Sequence, residues 1–270
     1  MQLHDQGFTG SIPQLYERHM VPLIFEPYAG DLAARIAALA PRRVLEIAAG
    51  TGVLTRQLSA SLPTDSLLVA SDLNPAMLDT AQALGTSRPV QWRQADAMAL
   101  PFPDAAFDLV ACQFGVMFFP DKAAAFAEIR RVLAPGGHLA FNVWDHIDSN
   151  ELAATVTDTL AQAFPADPPR FLARTPHGYH DTHQICADLA AGGFVREPDL
   201  ITLTLRGRAE SPASPALGYC HGTPLRNEIE ARAPGRLPEV TVQVANAIAA
   251  RFGAGAIDTG LQAHVVLAGR

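Results

Sequence analysis

Short apolar runs recur through the first half of the chain, and each gives way to a stretch of helical period. RVLEI at 43–47, LLVA at 67–70, VQWRQA at 90–95, FDLVAC at 107–112 and HLAFNVW at 138–144 read as strands. Between them, 31–39, 53–62, 74–84 and 121–133 read as helices. Asn74 supplies an N-cap and Pro75 fits a first helical turn, while Pro135-Gly136-Gly137 stops the last helix. Strands alternating with helices predict βαβ units, a mainly parallel sheet and right-handed crossovers.

After Trp144 the rhythm changes. Residues 149–164 read as a helix, 165–180 as a Pro-rich loop and 182–191 as a helix stopped by Gly192-Gly193. LITLTL at 200–205 alternates as a strand, 211–215 is a Ser/Pro linker, 238–252 reads as a helix and AHVVLA at 263–268 as a closing strand. The expected fold class is α/β: a mainly parallel, seven-stranded sheet with helices on both faces. Two helical cap insertions, about 146–181 and 208–255, interrupt its second half. The whole of 1–270 is expected to be one domain with a ligand-binding core at about 30–145.

Composition narrows the class. Apolar residues make up 49% of the 270 and charged residues 17%, enough for a sizeable core and incompatible with general disorder. The net charge of −7 offers no footprint for nucleic acid or an anionic membrane surface. The longest apolar stretch, 109–120, falls short of the roughly 18 residues of a membrane span. Three cysteines, Cys112, Cys186 and Cys220, suit a reduced, cytoplasmic setting better than a disulfide scaffold. The first residues, MQLHDQGFTGS, lack the charged and apolar regions of a secretory leader. The oligomeric state is not fixed by any of this.

The sharpest local feature is Glu46-Ile47-Ala48-Ala49-Gly50-Thr51-Gly52, an acid at a strand end followed by a Gly-rich turn into a helix. Such turns let a ligand approach the backbone and present free N–H groups at a helix start. A carboxylate there repels pyrophosphate and favours an ammonium group. The dinucleotide fingerprint G-x-G-x-x-G is also incomplete, because Thr55 stands at its third glycine. Asp72 and Asp96 end the next two strands, so three acids converge on the carboxyl edge of the sheet, where open α/β sheets bind ligands.

The segments VLEIAAGTGVLTRQL, SDLNPAMLDTA, QADAMALPFPDAAFDLVACQFGVMFFPD and EIRRVLAPGGHLAFNVW together resemble the class I S-adenosylmethionine-dependent methyltransferases. The resemblance is to their small-molecule branch, which includes the ubiquinone and menaquinone C-methyltransferases, and it covers about 42–145. It implies a Rossmann-like sheet and S-adenosylmethionine as cofactor. Glu46 and the Gly50–Gly52 backbone would hold the methionine end, Asp72 the ribose, and Leu73 and Met77 the adenine face. Asp96, Ala97 and Met98 would read the adenine edge, with Gln113 and Phe114 on the floor near the sulfonium. Ala48 stands where the family places a glycine, so a slightly shifted turn is expected there. YERHMVPLIFEPY at 16–28 would fold over the cofactor as a lid, with Tyr16, Met20 and Phe25 in contact.

Methyl transfer from a sulfonium demands mainly alignment. The apolar cluster Phe114, Met117, Phe118 and Phe119 and the insertions point to a small, largely apolar or aromatic acceptor, methylated at O, N or C. The catalytic candidate is His221 in GYCHGTPL, read as a Gly-flanked loop overhanging the cofactor. His177, His180 and His183 in HGYHDTH read as solvated loop histidines, because Pro176 and Gly178 oppose a helix, and no metal is expected. Cys112 reads as core and His138 as structural. Two alternatives remain: a protein of the same fold that binds the cofactor without methyl transfer, and a nicotinamide-dependent oxidoreductase.

Overall fold

A computed structural model describes residues 7–8 and 10–270. The absence of a leader was read partly on residues 1–6, which lie outside the described residues. Seven strands form one sheet in the order β3-β2-β1-β4-β5-β7-β6. They are β1 (Arg43–Glu46), β2 (Leu67–Asp72), β3 (Gln91–Gln94), β4 (Phe107–Gln113), β5 (Leu133–Trp144), β6 (Asp199–Ala209) and β7 (Ile257–Gly269). The first five run parallel, and β7 is antiparallel to both β5 and β6.

The strand order reverses direction between β1 and β4. Right-handed crossovers on either side of that point place helices on opposite faces and leave a crevice above the β1 and β4 carboxyl ends. The crossover helices are α3 (Val53–Ser61), α4 (Pro75–Leu84) and α5 (Lys122–Val132); α1 (Ile12–Leu15) and α2 (Glu26–Ala38) precede β1. α5 is capped by Asp121, which accepts from the Ala124 N–H at 2.9 Å. Asn74 precedes α4 without a side-chain cap; its own N–H donates to Asp72 Oδ1 at 2.8 Å instead. The Pro135-Gly136-Gly137 stop is not a free turn. β5 already begins at Leu133 and carries these residues as an irregularity between the Phe107–Leu133 and Leu109–His138 pairs.

Tyr16–Phe25 is a π-helical stretch joining α1 to α2. Pro22 lies inside it, lacks an N–H and would crowd the carbonyl four residues back, which the wider π turn relieves. The second half supplies α6 (Glu151–Ala163), α7 (Phe171–Arg174), α8 (Thr182–Ala191), α9 (Ala213–His221), α10 (Leu225–Arg232) and α11 (Leu237–Phe252). The Ser/Pro linker and the GYCHGTPL loop read from sequence are largely helix α9. Its prolines, Pro212 and Pro215, sit at the N-cap and within the first turn, where no N–H bond is lost. Gly218 lets α9 approach the π-helical stretch closely: a Cβ there would lie 2.7 Å from Met20 Sδ. Buried Glu228 on α10 accepts from Arg174 at 2.7 Å and from the Arg170 N–H at 2.9 Å, tying the two groups of late helices together.

Candidate functional site

β1 ends in Glu46, and the turn after it stays pinned to both neighbouring strands. Ile47 N–H donates to the Ala111 carbonyl and Ala49 N–H to the Ser71 carbonyl, each at 2.9 Å. The backbone then turns through left-handed geometry at Ala48 (φ 52°), Gly50 (φ 57°) and Gly52 (φ 81°). Two of these positions are glycine, which adopts it freely; Ala48 does so at a cost of about 1–2 kcal/mol. The space for its methyl comes from Gly115, where any Cβ would lie only 2.5 Å from that of Ala48.

This turn lines a cavity at the sheet's switch point. Glu46, Ala48, Gly50, Asp72, Leu73, Met77, Asp96, Ala97, Met98, Gln113, Phe114, Tyr16 and Phe25 all border it, which is most of the set read from sequence. Two members of that set lie elsewhere. Gly52 faces α4, where a Cβ would meet that of Ala81 at 3.1 Å; its left-handed φ shapes the turn without lining the cavity. Met20 lines an adjoining inner cavity. Sequence reasoning missed Phe8 and Gly115 as lining residues, and read Asn74 only as a helix cap.

The electrostatics are acidic. Glu46 is buried and accepts from Thr55 Oγ1 at 2.6 Å, so the residue at the missing third glycine serves the carboxylate. Burial nonetheless pushes the Glu46 carboxyl up to about 8, outweighing the Thr55 bond and Arg56. Asp72 is also buried and raised by burial. Its two oxygens accept from Gly50 N–H and Asn74 N–H, each at 2.8 Å, which orients the carboxylate while leaving acceptor capacity on both oxygens. Asp96 accepts from Met98 N–H at 2.9 Å. Among the described residues no lysine or arginine lines the cavity.

The floor is built by a strained residue. Phe114 adopts φ 50°, a region bulky side chains avoid. Its N–H is within 3.0 Å of Asn142 Oδ1, and its ring stacks on Trp144 with centroids 3.8 Å apart. Gln113 beside it donates to the Phe25 carbonyl at 2.8 Å, which fastens the π-helical stretch over the site. Arg56 adds a second tie, bonding Glu17 at 2.7 Å and the Thr51 carbonyl at 2.7 Å. Gln113 Oε1 and Thr51 Oγ1 are buried at this cavity without a hydrogen-bond partner. Buried polar atoms without partners are costly, so these two mark where a polar ligand completes the site.

Behind Phe25 and Phe114 lies the inner cavity, bordered by the π-helical stretch and the late helices. Among the described residues no Asp, Glu, Lys or Arg lines it. His221 borders neither cavity: its Nε2 lies 2.8 Å from Thr241 Oγ1, between α9 and α11. The helical register of α9, unseen in the sequence, turns it away. The HGYHDTH histidines disperse. His183 is exposed, His180 packs edge-on to His146, and His177 is buried against the inner cavity rather than solvated.

Comparisons with known proteins agree with this geometry. A family model described as a methyltransferase domain matches residues 45–141. A demethylmenaquinone methyltransferase of Deinococcus radiodurans is 42% identical over 109 residues, 40% of this chain and 45% of that one. A ubiquinone/menaquinone biosynthesis C-methyltransferase, UbiE, of Saccharophagus degradans is 32% identical over 170 residues, 57% of this chain and 67% of that one. The first of these is thus matched over less than half its length. The crystal structure of YcgJ from Bacillus subtilis shares the fold with a TM-score of 0.57 at 18% identity, covering 90% of this chain and 98% of that one. These matches show the family: the chain belongs to the class I S-adenosylmethionine-dependent methyltransferases.

Proposed function

We propose that this chain transfers a methyl group from S-adenosylmethionine to a small, largely apolar or aromatic acceptor. The observation that carries the reading is the pair of adjoining cavities, one acidic and one apolar, meeting at Phe25 and Phe114. Bound in the acidic cavity, the cofactor supplies an activated methyl group on a sulfonium. Glu46, Asp72 and Asp96 suit a ligand with an ammonium, a ribose diol and an adenine amino edge; a pyrophosphate would find three carboxyl groups and no cation. That argues against a nicotinamide dinucleotide.

In this reading Glu46 and the Gly50–Thr51 backbone hold the methionine end and Asp72 the ribose. Leu73 and Met77 pack on adenine, with Asp96, Ala97 and Met98 at its edge. Gln113 and Phe114 floor the sulfonium, and Tyr16 and Phe25 close over it. Burial of the reacting groups excludes water, and the stacked Phe114–Trp144 pair fixes the wall along which the acceptor aligns. The reading takes the chain as one methyltransferase domain with two cap insertions. It acts on free small molecules rather than nucleic acid, in a reducing cytoplasm that suits three free cysteines. Among the described residues no helix is long and apolar enough to cross a membrane.

The test is calorimetry followed by turnover. S-adenosylmethionine should bind and NAD should not. S-adenosylhomocysteine should then form with some member of a panel of phenols, amines and quinols. Binding without turnover across the panel would support a non-methylating role, and preferential NAD binding would refute the reading.

A further inference from the structure

Among the described residues that line the inner cavity, His177 offers a ring nitrogen whose orientation and tautomer are set by the backbone. His177 is 6% exposed and lines the cavity beside Trp144, their rings 6.0 Å apart. Its Nδ1 lies 2.9 Å from the Asp145 carbonyl oxygen. A carbonyl can only accept, so the proton sits on Nδ1 and Nε2 keeps its lone pair.

The loop holds this ring rigidly. His177 N–H donates to the Leu172 carbonyl at 3.0 Å. Gly178 is required next to it, since a Cβ there would lie 2.1 Å from the Arg174 carbonyl oxygen. Burial above all, helped by His146 and His180, brings the imidazole down to about 4 against the pull of the Asp145 carbonyl and carboxylate. The ring is therefore neutral at physiological pH, and Nε2 is an acceptor throughout. Tyr16 and Tyr219 also border the cavity, and burial raises both phenols, so they stay protonated.

We propose that His177 is the recognition point for the methyl acceptor, with Nε2 accepting a hydrogen bond from a hydroxyl on an otherwise apolar, uncharged aromatic molecule. This rests on the methyltransferase reading and adds to it a specificity-determining residue. An apolar wall rejects an isostere weakly, whereas a buried acceptor left unpaired rejects it strongly. The site thus selects for the hydroxyl itself. It selects against anions, because among the described residues no lysine or arginine lines the cavity to offset a buried carboxylate. His177 lies beyond Trp144, which stacks on Phe114, so it meets the acceptor rather than the cofactor.

The experiment compares 4-propylphenol, 4-propylanisole and 4-propylbenzoate binding to the full chain, with and without saturating S-adenosylhomocysteine. Calorimetry or Trp144 fluorescence reports affinity. The phenol should bind at least about tenfold more tightly than the anisole, and the benzoate should not bind measurably. His177→Phe should bring the phenol-to-anisole ratio close to one, with anisole and S-adenosylhomocysteine affinities unchanged within about twofold. His177→Gln, which keeps an acceptor, should recover part of the ratio. A wild-type ratio near one overturns the proposal without recourse to any variant. So does an unaltered ratio in folded His177→Phe, or benzoate binding as tight as that of the phenol. Failure of S-adenosylhomocysteine to bind would instead refute the methyltransferase reading, while the ratio measured without it still decides the role of His177.

Discussion

Cofactor binding should expel a proton from the protein at neutral pH. Burial holds the Glu46 carboxyl at about 8, so roughly nine-tenths of it is protonated at pH 7. An ammonium placed against it favours the charged form, and the carboxyl must ionise to receive the methionine end. Binding at pH 7 should therefore release about 0.7–0.8 proton, because Glu46 gives up about 0.9 while the ligand's own amine, of ordinary pKa about 7.7–8.0, takes up about 0.1–0.2 on becoming fully charged. Calorimetric titration of S-adenosylhomocysteine in phosphate and in Tris measures this directly, because the heat shifts with buffer ionisation enthalpy in proportion to the protons released. Glu46→Gln should abolish most of the buffer dependence and weaken binding. Buffer-independent heat in the wild type, or an unchanged dependence in Glu46→Gln, would remove Glu46 from the methionine site. The same group also acts on the ligand-free fold. The folded protein retains a proton that the unfolded chain loses near 4.5, so stability should fall as pH rises from 4.5 to about 8. The Tm of Glu46→Gln should lack that part of the decline.

Three other outcomes follow from the same geometry. Gly115→Ala should destabilise by about 1–3 kcal/mol in urea unfolding, because its methyl meets the Ala48 methyl and the Cys112 sulfur. Combined with Ala48→Gly the cost should shrink, and strict additivity would show that the two positions do not share one space. Asp72→Ala removes a carboxylate that receives two backbone N–H groups, with charged hydrogen bonds worth ~1.5–3 kcal/mol each. Cofactor affinity should drop at least about tenfold, and unchanged affinity would end its assignment to the ribose. Glu228→Ala leaves Arg174 and Arg232 without their buried partner and should cost about 3 kcal/mol, read as a lowered thermal midpoint.

The sheet and most of the cofactor cavity were legible in the chain alone. Those residues sit at strand ends and in turns, where period and chain order fix the position: Glu46 and Asp72 close β1 and β2, Asp96 follows the end of β3 by two residues rather than closing it as the pattern suggested, and the glycines mark a turn that needs left-handed backbone. A glycine's conformational role does not reveal which way the turn faces, so Gly52, which packs on α4, was indistinguishable from Gly50. The acceptor side was decided only by tertiary structure. His177 and His221 look alike in the sequence, each beside glycine and proline in a polar-aromatic segment. The packing of α9 against the π-helical stretch and α11 turns His221 toward Thr241. The tight turn at Gly178 carries His177 into the interior, where one carbonyl fixes its tautomer. Local propensity encodes strands and turns because their bonds are near in sequence or periodic. A cavity walled by Tyr16, Phe114, Trp144, His177 and Tyr219 is assembled from side chains up to two hundred residues apart, and no local pattern records that meeting.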